Sequence, residues 1–282
     1  MINNIQILRA IAVMMVVAYH TSGLTSKYGF ISGGFLNVGH WGAFGVDIFF
    51  IISGYIMAML DDVKKKTAYE FAKDRLIRIA PTYWFFTMAL IILQFMIPSL
   101  FREGIYTQEQ NVLSMLFISN FWGYMYPSLY VGWSLELEMF FYFVFSICLF
   151  IKDKKIKILS LVLIILTASL LGVIFPIGIE FVFGVLLYYI CKIENNVFKK
   201  IHWLAPFIFC LSFLLIISFN FPSDIDSVSR PYLLGVLACV FVYVSVKMKD
   251  SQANIFTYIG NASYSIYLIQ VFTIPLIIKS FY

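Results

Sequence analysis

Two ionisable residues interrupt the first apolar run of the chain. Arg9 and His20 bracket AIAVMMVVAY, in which only Tyr19 is polar, and the run itself extends from Ile5 to Ser22. A guanidinium carries a fixed charge and holds anions through its planar fork. An imidazole changes charge near neutral pH and can therefore move protons. Eleven helical steps of about 100° bring His20 to within about 20° of Arg9, and a rise of about 1.5 Å per residue sets them roughly 16 Å apart along the axis. One polar stripe through most of a bilayer follows, with both groups facing an interior cavity. In the simpler alternative, Arg9 snorkels to the headgroups on one side and His20 sits at the interface on the other.

Three further blocks carry polar chemistry at membrane depth. Asp47 lies within GAFGVDIFFIISGYIM, where a carboxylate needs protein, water or a cation as its partner. Gly42, Gly45 and Gly54 in the same stretch allow close helix approach. In GWSLELEMFFY, Ser134, Glu138 and Phe141 share a helix face, while Glu136 points about 160° away from Glu138. Glu138 is therefore the cavity candidate, and Glu136 reads as an interfacial, water-exposed carboxylate. In RLIRIAPTYW, Arg75 and Arg78 share a face. They serve either as a positive-inside anchor or as a clamp for a phosphorylated ligand, since arginine forks match phosphate oxygens.

These residues must be positioned by membrane helices. Of the 282 residues, 61% are hydrophobic and 12% charged, about half the charged share of soluble domains. The apolar residues fall in nine blocks, at about 5–22, 40–60, 80–98, 130–151, 158–175, 178–191, 201–220, 231–247 and 259–279. The first block lacks the charged start and cleavage pattern of a secretory signal and reads as the first membrane helix. The sixth is short and holds Glu180, which suggests a tilted or partly re-entrant segment. Residues 111–129 read as an outer-surface segment or half-helix. With the N-terminus in the cytoplasm, every one of the 20 Lys and Arg residues except Lys27, Arg102, Arg230 and Lys279 falls on the cytoplasmic side. The expected fold is an all-α polytopic membrane bundle, one membrane domain over residues 1–282, with a cytoplasmic N-terminus. The net charge of +5 is spread through the gaps between apolar blocks and does not point to nucleic acid. The four cysteines show no paired spacing, and the three histidines (His20, His40 and His202) lie in different regions without metal-ligand spacing.

Four blocks together give the sequence its resemblance to the membrane-bound acyltransferase 3 family, which includes bacterial polysaccharide O-acetyltransferases. Arg9 and His20 resemble the family's arginine-ten-residues-histidine signature. GVDIFFIISGYIM places Asp47, Phe49, Phe50, Ser53 and Gly54 in register, and RLIRIAPTYW supplies Arg75, Arg78 and Pro81. WSLELEMFFY supplies Trp133, Ser134, Glu138, Phe141 and Tyr142. Two features depart from the family: Gln270 stands where a histidine is common, and nine spans are counted where the family usually has ten.

The resemblance implies a membrane O-acyltransferase of the bacterial inner membrane. Acetyl-CoA or another acyl-CoA would be the donor substrate, with no permanently bound cofactor and no metal. The acceptor would be a hydroxyl of a surface or lipid-linked glycan such as exopolysaccharide, O-antigen or capsule. His20 would be the central catalytic residue, as general base or as acyl-accepting nucleophile. Arg9 would orient the cavity or bind coenzyme A at its mouth, and Glu138 would fix the imidazole, handle the proton or hold the acceptor. Arg75 and Arg78, with Lys73 nearby, would hold the donor's phosphates. Asp47, Ser53, Trp133, Ser134 and Tyr142 would support the site. A glycan or acyl-metabolite transporter is the competing class, and a purely structural membrane protein the third. Release of free coenzyme A thiol separates the enzyme from a transporter.

Overall fold

The computed structural model describes residues 2–27, 41–101, 105–193, 205–218 and 224–280. His40, His202 and the outer ends of the seventh apolar block lie outside them. Ten α-helices are present among the described residues: α1 (Asn3–Lys27), α2 (Phe44–Lys64), α3 (Ala68–Met96), α4 (Gln108–Met115), α5 (Trp133–Cys148), α6 (Lys154–Leu170), α7 (Glu180–Ile193), α8 (Ala205–Ser218), α9 (Val236–Lys247) and α10 (Ile255–Ser280). Each of the nine apolar blocks meets a helix. Six helices are long and apolar enough to cross a bilayer: α1, α2, α3, α10, and α5 and α7 with their 3-10 entries. The fold is that of a polytopic helical membrane protein.

Helix α3 begins a dozen residues before its apolar block. Thr67 accepts from the Glu70 backbone N–H, and the Glu70 carboxylate returns a bond to the Thr67 backbone, a reciprocal cap. Arg75 and Arg78 consequently sit inside a continuous helix rather than in a loop before it. Residues 111–129 contain most of α4, and Ser114, Ser119, Ser128 and Asn111 behind it form a buried hydrogen-bonded cluster.

Packing falls into two compact units, residues 1–65 with 175–282 and residues 66–174. In the first, α1 lies along α10 and α2 along α7. The α2–α7 crossing is set by two facing glycines. A Cβ at Gly54 would stand 2.0 Å from the Phe181 carbonyl oxygen, and one at Gly184 would stand 2.2 Å from that of Ile51. Small residues at such a crossing replace the hydrophobic driving force that lipid removes. Gly184→Ala is expected to cost about 1–3 kcal/mol, because backbone rather than a movable side chain meets the new methyl. Gly23→Ala in α1 has open space around it and serves as the neutral control. Thermal unfolding in detergent measures both; equal midpoints would remove the close-packing account.

In the second unit, α3 packs on α5 and α5 on α6. The segment before α5 is tied down at several points. Gln94 exchanges two hydrogen bonds with the Tyr106 backbone, at 2.9 and 3.1 Å, and the Trp84 indole donates to the Met115 carbonyl at 2.8 Å.

Candidate active site

In the first unit, α1 carries Arg9 and His20. Arg9 is only 8% exposed, so most of its side chain is enclosed by protein. His20 is half-buried, with its ring edge-on to Tyr19 at 5.1 Å between centroids. Helix α2 crosses α1 closely: a Cβ at Gly45 would lie 2.3 Å from the Ala12 carbonyl oxygen and 2.7 Å from Val16. That contact sets Asp47, just beyond Gly45, at a depth between Arg9 and His20.

Asp47 meets its cation at this depth. Arg230 donates through Nε to Asp47 Oδ1 at 3.1 Å and through Nη2 to Oδ2 at 2.7 Å, a bidentate pair. The same Nη2 donates to the Ala43 carbonyl at 3.3 Å, just before α2. Both side chains are essentially inaccessible to solvent. Arg230 leads directly into a π-helical turn, Pro231–Gly235, ahead of α9. The Glu180 carboxyl, at the start of α7, lies beside both members of the pair. It packs against Gly235, where a Cβ would approach Glu180 Cγ to 3.0 Å. The Glu180 oxygens accept from no donor group among the described residues, and the carboxyl lies within hydrogen-bonding reach of Asp47. One guanidinium thus faces two carboxyl groups and joins α2, α7 and the π turn. Counting charges along the chain sets Arg230 on the outer side; the structure adds that it is buried against Asp47.

In the second unit, the Arg75 guanidinium lies beside two edge-to-face rings, 5.9 Å from the Phe71 centroid and 6.0 Å from that of Tyr142. Its Nε and Nη1 are buried and have no hydrogen-bond partner among the described residues. The Tyr142 hydroxyl donates to Glu138 Oε1 at 2.5 Å. Arg78 is exposed and within electrostatic reach of Tyr142. The Tyr142–Glu138 pair thus stands beside a guanidinium with free donors, and those donors suit a phosphorylated anion.

A family model described as an acyltransferase domain matches residues 2–282. The chain belongs to this acyltransferase family. It is 30% identical over 258 residues to the exopolysaccharide production protein ExoZ of Rhizobium meliloti (strain 1021), an overlap covering 85% of this chain and 78% of that protein. It is 28% identical over 194 residues to the O-acetyltransferase OatA of Staphylococcus aureus (strain NCTC 8325 / PS 47), covering 63% of this chain but 29% of OatA. No solved structure matches the chain significantly.

The remaining residues singled out by sequence take local roles in this multi-pass membrane acyltransferase. Ser53 is half-buried on α2 beside Gly54, and Trp133 is half-buried at the first turn of α5. The Ser134 hydroxyl donates to the Val131 carbonyl at 3.2 Å. Glu136 is the clearest departure from expectation. It is 2% exposed rather than water-facing, and its carboxylate accepts from the backbone N–H groups of Ser119 and Asn120 at 3.1 and 3.0 Å. It anchors the segment before α5. Helix geometry separated it correctly from Glu138 but could not reveal that a preceding loop folds back onto that other face.

Proposed function

We propose that this acyltransferase moves an acetyl group from acyl-CoA to a hydroxyl of an exopolysaccharide or related surface glycan at the bacterial inner membrane. Arg75 carries the donor part of this reading. Its buried, unpaired donors beside two aromatic rings are poised for an oxyanion, and coenzyme A brings phosphates on the side that the Lys/Arg distribution assigns to the cytoplasm. The glycan acceptor is supported by the similarity to ExoZ and OatA, whose names specify exopolysaccharide production and O-acetyl transfer. His20 is the central catalytic residue in this reading. It takes the proton from the acceptor hydroxyl, or first accepts the acyl group itself. Asp47 holds Arg230, and Glu138 holds Tyr142 beneath Arg75.

The test is transfer of label from acetyl-CoA to glycan in membranes containing the protein, with release of free thiol followed in parallel. Labelled glycan together with thiol supports the reading. Glycan movement across the bilayer without thiol release would replace it with a transporter. The clamp has its own readout. Arg75→Lys keeps the charge but loses the planar fork, and is expected to raise the apparent KM for acetyl-CoA about tenfold or more with kcat little changed. An unchanged KM would remove Arg75 from donor binding.

A further inference from the structure

Helices α1 and α10 carry buried polar groups that the site described above does not use. Both helices begin at the same end of the first unit. Asn3 Nδ2 donates to the Ser251 carbonyl at 2.7 Å, the Asn4 backbone N–H to Asp250 Oδ1 at 3.0 Å, and the Ser251 N–H to Asn4 Oδ1 at 3.0 Å. A few residues on, Gly260 lies so close to α1 that a Cβ would stand 1.9 Å from the Gln6 carbonyl oxygen. The two helices then share the most extensive contact among the described elements, so they run parallel with Gly260 level with Gln6.

This register fixes the height of each polar side chain. Ser263 is three residues past Gly260, roughly 4.5 Å along the axis, level with Arg9. Gln270 is ten residues past Gly260, roughly 15 Å along, level with Val16 and about one turn short of His20. Gln6, Ser263 and Gln270 are 2%, 0% and 2% exposed. Both amide atoms of Gln6, both of Gln270 and the Ser263 hydroxyl have no hydrogen-bond partner among the described residues. Inside a membrane protein, water does not readily compensate such groups. Leucine and alanine would fill the same positions without that penalty. Five unpaired polar atoms therefore rise in steps from the start of α1 toward His20.

We infer that Gln6, Ser263 and Gln270 bind the pantetheine arm of the acyl donor, with Gln270 taking the amide nearest the thioester and Ser263 and Gln6 the farther amide and hydroxyl. This rests on the acyl-CoA reading above. The arm is narrow and carries two amides and a hydroxyl in series. Each amide presents one donor and one acceptor, as each glutamine does. The match in order follows from the register: the thioester end belongs beside His20, and Gln270 is the residue of the three nearest that height.

The experiment compares three donors on the intact enzyme: acetyl-CoA, S-acetylpantetheine, and S-acetyl-N-acetylcysteamine, which keeps only the amide nearest sulfur. Gln270→Leu is expected to lower kcat/KM about tenfold or more with all three. Gln6→Leu and Ser263→Ala are expected to lower it with the two longer donors and leave the shortest unchanged. All three variants should unfold at the wild-type temperature or higher, because each removes unpaired polar atoms from a buried position. A merely structural role would instead lower the midpoint and depress every donor equally. Wild-type turnover with variants that show no dependence on donor length would overturn the pantetheine assignment alone. Wild-type protein that releases thiol from none of the donors would overturn the acyl-CoA reading, and the pantetheine assignment with it.

Discussion

Replacing His20 with alanine is expected to lower acyl transfer by about two to four orders of magnitude, the usual contribution of a positioned acid or base. The substitution removes a half-buried ring whose observed aromatic neighbour is the adjacent Tyr19. Alanine is compatible with the α1 helix, so the amount of protein in the membrane is expected to stay close to wild type. That separation of activity from abundance is the diagnostic feature. His20→Gln adds a second arm, because glutamine keeps hydrogen-bonding capacity but neither moves a proton near neutral pH nor accepts an acyl group. The measurement is initial rate of label transfer from acetyl-CoA, normalised to protein in the membrane. Rates within a few-fold of wild type in both variants would take His20 out of the chemistry. If His20 carries the acyl group, brief incubation with labelled donor should also leave label on wild-type protein and none on either variant.

The second large effect is on stability. Arg230→Met leaves Asp47 and Glu180 facing each other in a site closed to solvent, without the guanidinium that joins them. Stranding one member of a buried ion pair typically costs about 3–5 kcal/mol, enough to deplete folded protein from the membrane. The double variant Asp47→Leu with Arg230→Met removes both charges and is expected to recover much of that loss, since apolar replacement of a whole buried pair is often near neutral. Arg230→Lys should fall between them, because an ammonium cannot reproduce the bidentate geometry to Asp47 while also reaching the Ala43 carbonyl. Thermal unfolding in detergent, with abundance in membranes as a second readout, checks the series. A single variant as stable as wild type, or a double variant worse than either single one, would contradict the lock.

Much of the architecture was legible in composition and spacing. Long apolar blocks specify membrane helices because the bilayer requires each backbone to satisfy its own hydrogen bonds. The nine blocks accordingly met nine helices, and α3 begins ahead of its apolar stretch because a polar capping box starts it at Thr67. The glycine reading also carried through at Gly45 and Gly54, where the lack of a side chain matters whatever the partner. Helix periodicity placed Arg9 and His20 on one face and set Glu136 apart from Glu138, because 3.6-residue geometry is local.

What sequence could not supply was the identity of each partner. Asp47 called for protein, water or a cation, yet the Arg230 that meets it lies 183 residues away and reads in sequence only as an outer-side charge. Glu136 looked water-facing until the preceding segment folded over it and presented two backbone N–H groups. Gln270 was a departure from a motif until the α1–α10 register set its height relative to His20. The sequence by itself determined the membrane class, the helices and the chemical types at depth, because hydropathy and helical period act over neighbouring residues. Only the tertiary structure decided which charges neutralise one another and which polar atoms stay unpaired, because those depend on contacts between segments that no local periodicity encodes.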